Sequence, residues 1–206
     1  TATNITDTNY VTSEGTRRGF QHEAAKDVNV NTTGGRITKE QEVLANAAHS
    51  YVTETNPDNT KSGKCLTGTK AAMANAGIDV SGMAEYGSVP KYAKNWFDAH
   101  PEMFTPVKYV SIGNEEARAI NATDIKSLPA GYIVIFVPPE GSPEAGHALI
   151  TNGNGQGFAD ATDNLEWNLY TSAGKSSGKG EHGRFYVYKL SDKWEVGADG
   201  KLKLKN

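Results

Sequence analysis

Apolar residues recur along this chain with two periods, and the change between them divides it into a helical half and a strand half. Behind Thr38-Lys39-Glu40-Gln41, a capping-box pattern, Leu44, Ala48, Tyr51 and Val52 fall on one helical face. Asn56-Pro57-Asp58-Asn59 carries the turn chemistry that ends this helix. Leu66, Thr69, Ala72, Met73 and Ala76 predict a second helix, with Cys65 in its first turn and Gly77 as its stop. Ser88-Val89-Pro90 opens a third, running to Ala99, with Tyr92, Trp96 and Phe97 expected to face inward.

From there the pattern becomes that of strands, expected over Val107–Ile112, Tyr132–Val137, His147–Thr151, Gly157–Ala161 and Arg184–Leu190. Leu128-Pro129-Ala130-Gly131 is a turn into the second of these, and Gly153-Asn154-Gly155-Gln156 a tight connection after the third. A terminal hairpin is expected, Trp194–Val196 against Leu202–Leu204 around Gly197-Ala198-Asp199-Gly200. Helices first and strands afterwards is an α+β layout. Residues 1–36 break the pattern: Thr, Asn, Gly and charged residues surround isolated apolar ones. They read as an extended N-terminal arm or linker ahead of a domain over 37–206.

Composition narrows the classes. With 206 residues, 37% hydrophobic and 22% charged, the chain suits a globular domain with a sizeable core. A net charge of -3 offers no broad basic face, so nucleic acid is not an expected partner. No apolar run approaches the roughly 18 residues of a membrane span. One cysteine excludes a disulfide within the chain, and one Cys with five scattered histidines gives no zinc spacing, so neither metal nor cofactor is expected.

That cysteine is where chemistry enters. The partial positive charge and free N–H groups of a helix N-terminus stabilise a thiolate, and the same N–H groups can hold the oxyanion formed when a carbonyl is attacked. Cys65 is expected there as a nucleophile, with its own backbone N–H as one oxyanion donor. Gly63 and Lys64 are poor core neighbours and argue for a position near the surface. The competing reading is an inert buried thiol, since a lone Cys packs as a small hydrophobe.

A thiolate needs a base and a group that orients the base. His22 lies in the polar arm, His49 off the apolar stripe of its helix, His100 at a helix end and His182 in a glycine-rich loop. His147 follows Gly146 and opens Ala148-Leu149-Ile150, a central strand. If the return strand Gly157-Phe158-Ala159-Asp160 pairs with it, Asp160 comes near His147 and can fix its tautomer. Asp163 and Asn164 are the alternatives, expected to cap the turn beyond.

The order of these pieces resembles the papain-like peptidoglycan peptidases of the NlpC-type and CHAP groups. Gly63-Lys64-Cys65 to Gly77 is similar to their nucleophile helix. Leu128–Gly131 before Tyr132–Val137 is similar to the turn and strand ahead of their histidine. Gly146-His147-Ala148-Leu149-Ile150 resembles their Gly-His-x-x-Ile strand, and Asn152–Gly155 followed by Ala159-Asp160 resembles their turn and third catalytic position. Tyr132 departs from the Asp common after that turn, and Leu66-Thr67 from the usual aromatic after the Cys. The resemblance covers about 63–162, half the chain. It implies a papain-like fold and amide hydrolysis in bacterial cell-wall peptide through a Cys65–His147–Asp160 triad. It further implies a secreted, periplasmic or cell-wall-associated protein, and Tyr86 and Tyr92 are candidates for the wall of the substrate groove, with Trp96 expected in the core. Acyl transfer on the same fold and a non-catalytic binding module with an inert Cys65 are the rival readings. An inhibitor or immunity partner is not legible.

Overall fold

In the computed structural model, residues 24–33, 37–60, 63–107, 126–138, 140–165 and 184–206 are described. Helix α1 spans Lys39–Thr55. The Thr38 hydroxyl accepts from the Gln41 N–H at 3.1 Å, and the Gln41 side-chain oxygen accepts from the Thr38 N–H at 3.2 Å. This reciprocal cap satisfies two donors that the first turn cannot satisfy itself. Helix α2 spans Cys65–Ala76 and stops at Gly77, whose φ of 110° a side chain would resist. Helix α3, Pro90–Asp98, starts on the proline. Its buried stripe is Pro90, Ala93, Trp96 and Phe97. Tyr92 lies off that stripe and is 48% exposed, which corrects its expected inward position.

Six antiparallel strands form one sheet in the order β1-β6-β2-β3-β4-β5. They are β1 (Phe104–Pro106), β2 (Ile133–Val137), β3 (His147–Thr151), β4 (Gln156–Phe158), β5 (Thr162–Asn164) and β6 (Arg184–Leu190). The chain is therefore α+β, mixing helices with an antiparallel sheet. A hairpin of β7 (Trp194–Val196) and β8 (Leu202–Leu204) forms a second, two-stranded sheet. No helix of the described residues is long and apolar enough to cross a membrane.

Pairing β2 to β3 sets Phe136 opposite His147 and Ile135 opposite Ala148. Since strand side chains alternate, the sheet has two distinct faces. One carries Ile133, Ile135, Ala148, Ile150, Phe158 and Tyr188, packed in one cluster with Leu44, Met73, Trp96 and Phe97 of the helices. The other carries Val134, Phe136, Leu149, Phe185 and Val187, clustered with Cys65, Ala159 and Leu165.

Of the strand expected over Val107–Ile112, Val107 lies just past β1, which ends at Pro106, and 108–112 lie outside the described residues. The strand expected over Gly157–Ala161 stops at Phe158, the end of β4: the chain bends at Ala159, where its N–H donates to the Ala161 carbonyl at 2.9 Å, and returns as β5 from Thr162. The described part of the N-terminal arm packs on the domain. Ala25 and Val28 belong to the helix-side core, and the Asn31 N–H donates to the Asn152 carbonyl at 2.8 Å. Residues 1–23 and 34–36, with Arg17, Arg18 and His22, lie outside the described residues, as does His182.

Candidate active site

Cys65 is the first residue of α2, so its N–H lies in the turn that has no intrahelical acceptors, and the side chain of the preceding Lys64 does not cap that turn. A glycine permits the close approach of this helix end to the sheet. A Cβ at Gly68 would sit 2.3 Å from the Ala159 carbonyl oxygen and 2.6 Å from the Asp160 nitrogen. Only hydrogen fits, and the first turn of α2 consequently lies directly on the bend between β4 and β5. Nothing in a helical pattern marks Gly68 as necessary, and the sequence reading missed it.

His147 opens β3 on the face of Leu149 and Cys65. Its Nε2–H donates to the Asp163 carboxylate at 2.7 Å, with both side chains buried. The acid on the histidine is thus Asp163, from β5, and not Asp160. The register explains the exchange. Phe158 pairs with Ile150 and so belongs to the helix-side face, opposite His147. Gly157 pairs with Thr151 on one side and Asp163 on the other, which puts Asp163 on the face of His147. Gly157 has no side chain to stand between them. Asp160 instead lies in the bend, where its Oδ2 accepts from the Lys64 N–H at 3.1 Å and holds the chain entering the Cys65 helix. Once that register is known, alternation excludes Asp160, because residues 147 and 150 cannot share a face.

With Nε2 committed to Asp163, Nδ1 is the nitrogen left to exchange a proton with Cys65. It makes no hydrogen bond of ordinary geometry. The thiol nonetheless lies close enough to act on the ring. Burial, the strongest single influence, favours the neutral imidazole. The charge of Cys65, the hydrogen bond to Asp163, contact with the Cys65 thiol and the charge of Asp163 oppose it and hold the pKa up at about 10. A ring protonated at neutral pH beside a helix-start thiol is the arrangement that stabilises a thiolate.

Cys65 is 2% exposed and His147 is 1% exposed, so the thiol is buried in its apolar cluster and not near the surface as Gly63 and Lys64 suggested. Tyr86 and Tyr92, 39% and 48% exposed, flank Gly87 at the start of α3. The Lys91 N–H donates to the Ala145 carbonyl at 3.0 Å, which ties this end of α3 to the segment before His147. The Tyr92 side chain lies against Gly87, with the Lys91 ammonium 5.5 Å from its ring centre. A groove of about 550 Å³, lined by Glu40, Lys189, Asp192, Trp194 and Lys205 among others, lies apart from the pair and includes none of its residues. Among the described residues, no group of three or more His, Cys, Asp or Glu is gathered closely enough to hold a metal ion.

No family model, curated protein or solved structure matches the chain.

Proposed function

We propose that this chain is a papain-like cysteine hydrolase that cleaves amide bonds, with bacterial cell-wall peptide as its substrate class. The observation that carries this is what His147 touches: one ring nitrogen locked on a buried carboxylate at 2.7 Å, and a helix-start cysteine close enough to act on the ring. A ring oriented by a carboxylate on one side and facing a thiol on the other is placed to carry a proton between that thiol and a reacting group.

The chemistry follows from the positions. The Cys65 sulfur attacks the amide carbon, and the Cys65 N–H, at the helix start, donates to the oxygen that gains the charge. Nδ1–H of His147 protonates the departing amine, leaving a thioester on Cys65. Neutral His147 then takes a proton from water as the water attacks the thioester. The C–S bond breaks, the acid leaves, and the Cys65 thiolate and protonated His147 are restored. Asp163 keeps the ring oriented and stabilises its charged form through both steps. The peptidoglycan substrate and the secreted, periplasmic or cell-wall setting rest on the resemblance of residues 63–162 to the NlpC-type and CHAP groups.

The burial of Cys65 among Leu149, Ala159 and Phe136 favours a second reading, an inert core thiol in a binding module. An inert thiol has no use for a charged His–Asp pair buried next to it, which is the reason the hydrolase is preferred. Mass spectrometry of purified peptidoglycan after incubation with the wild type and with Cys65→Ala separates the two. New peptide or amine termini with the wild type alone support the hydrolase. Identical spectra, together with slow alkylation of Cys65 near neutral pH, support the inert thiol.

A further inference from the structure

We infer that Asn59 is a positioning residue that holds the strand of Asp163 in register with the Cys65 helix; this rests on the hydrolase reading above. Strand β5 pairs with β4 on one side and has no strand neighbour on the other among the described residues. Three residues paired on one side are a weak support for a carboxylate that must hold a fixed distance. On the open side, the Asn59 amide stands in for a neighbouring strand. Its Oδ1 accepts from the Thr162 N–H at 2.7 Å, and its Nδ2 donates to the Thr162 carbonyl at 3.4 Å. Thr162 is the residue immediately before Asp163.

The backbone at Asn59 is arranged for this purpose. Its φ is 56°, in the left-handed region, and it is buried. That conformation is unfavourable for an ordinary residue and less so for Asn, whose short amide tolerates it. The Asn59 N–H donates to the Asn56 carbonyl at 2.9 Å, closing the turn that aims the amide at β5. Asn56 adds a second tie, its Nδ2 donating to the Asp160 carbonyl at 2.8 Å. The loop that leaves α1 and delivers Cys65 is therefore fastened to the β4–β5 bend at Asp160 by Asn56 and Lys64, and to β5 at Thr162 by Asn59. Nucleophile and orienting acid come from different parts of the chain, and this loop is what references one to the other. A displacement of about 1 Å between such groups is enough to cost a large part of the rate.

The test reads the pair directly, through iodoacetamide alkylation of Cys65 at pH 6 and pH 9 beside a melting curve. Asn59→Gly removes the amide while accepting the left-handed backbone without strain. Asn59→Asp keeps an acceptor for the Thr162 N–H and loses the donor to its carbonyl. Trp194→Phe is the stability control, since it removes the Trp194 N–H bond to the Met103 carbonyl, away from the pair. The expected result is a fall of about tenfold in the pH 6 to pH 9 rate ratio for Asn59→Gly, toward that of Asp163→Ala. Asn59→Asp falls between wild type and Asn59→Gly, and Trp194→Phe melts earlier with the ratio unchanged. If Asn59→Gly does not fold, Asn59→Asp decides: an intermediate ratio supports the role and a wild-type ratio overturns it. A destabilised Asn59→Gly with a wild-type ratio, in a series where Asp163→Ala alters it, overturns the positioning role and leaves the hydrolase standing. Wild-type ratios in His147→Ala and Asp163→Ala as well would bring down the hydrolase reading and this inference together.

Discussion

The two faces of the central sheet are built from the same strands and have different characters. Strand β3 gives Ala148 and Ile150 to the face covered by α1, α2 and α3, where the neighbours are aliphatic and aromatic. From the same five residues, His147 and Leu149 go to the other face, where a charged pair and a thiol are set among apolar side chains. Alternation lets one short strand support packing on one side and chemistry on the other. Substitutions on the two faces should accordingly separate stability from reactivity, and the size of that separation measures how independent the faces are.

The largest effect is expected from Cys65→Ala, which removes the nucleophile. Peptidoglycan turnover should disappear with only a small shift in melting temperature, and residual turnover above background would rule out the cysteine mechanism. Next is Asp163→Ala, expected to slow turnover by about 10²- to 10⁴-fold, the span that general acid–base support provides. Asp160→Ala should cost far less, because Asp160 bonds the Lys64 N–H and not the histidine. Steady-state kinetics with the reverse ranking would mean that the His147–Asp163 bond is not the one used in catalysis.

On the helix side, Ile150→Ala should lower stability by about 2–5 kcal/mol in a denaturant titration, the usual cost of such a cavity. Its pH profile of Cys65 alkylation should stay that of wild type, and a shifted profile would show that the faces are coupled. A further effect on the chemical face concerns pH. His147 is held at about 10 in the fold, above its ordinary value of 6.5, so it binds protons more tightly folded than unfolded. Its contribution to stability is complete below about 6.5 and is lost as pH rises through about 10. The melting temperature of the wild type should therefore decline more between those limits than that of His147→Gln, and parallel declines would contradict the raised value.

The sequence by itself determined what depends on near neighbours in the chain. Thr38 and Gln41 are three residues apart, so the cap on α1 is a local matter, and Gly77 and Pro90 bound their helices for equally local reasons. The placement of Cys65 in the first turn of α2 was legible in the same way, as was the hairpin around Gly197–Gly200. Tertiary structure decided which carboxylate meets His147. Counting along one strand favoured Asp160, because the bend at Ala159 does not show in the apolar pattern, and that bend both ends β4 and brings Asp163 back beside Gly157. It also decided the burial of Cys65, which Gly63 and Lys64 argue against locally and the opposite sheet face imposes. Gly68 and Asn59 were illegible for one shared reason. Each matters through a backbone that lies about ninety or more positions along the chain, at Ala159 and at Thr162. A pattern of near neighbours contains no information about a contact until the chain has folded to make it.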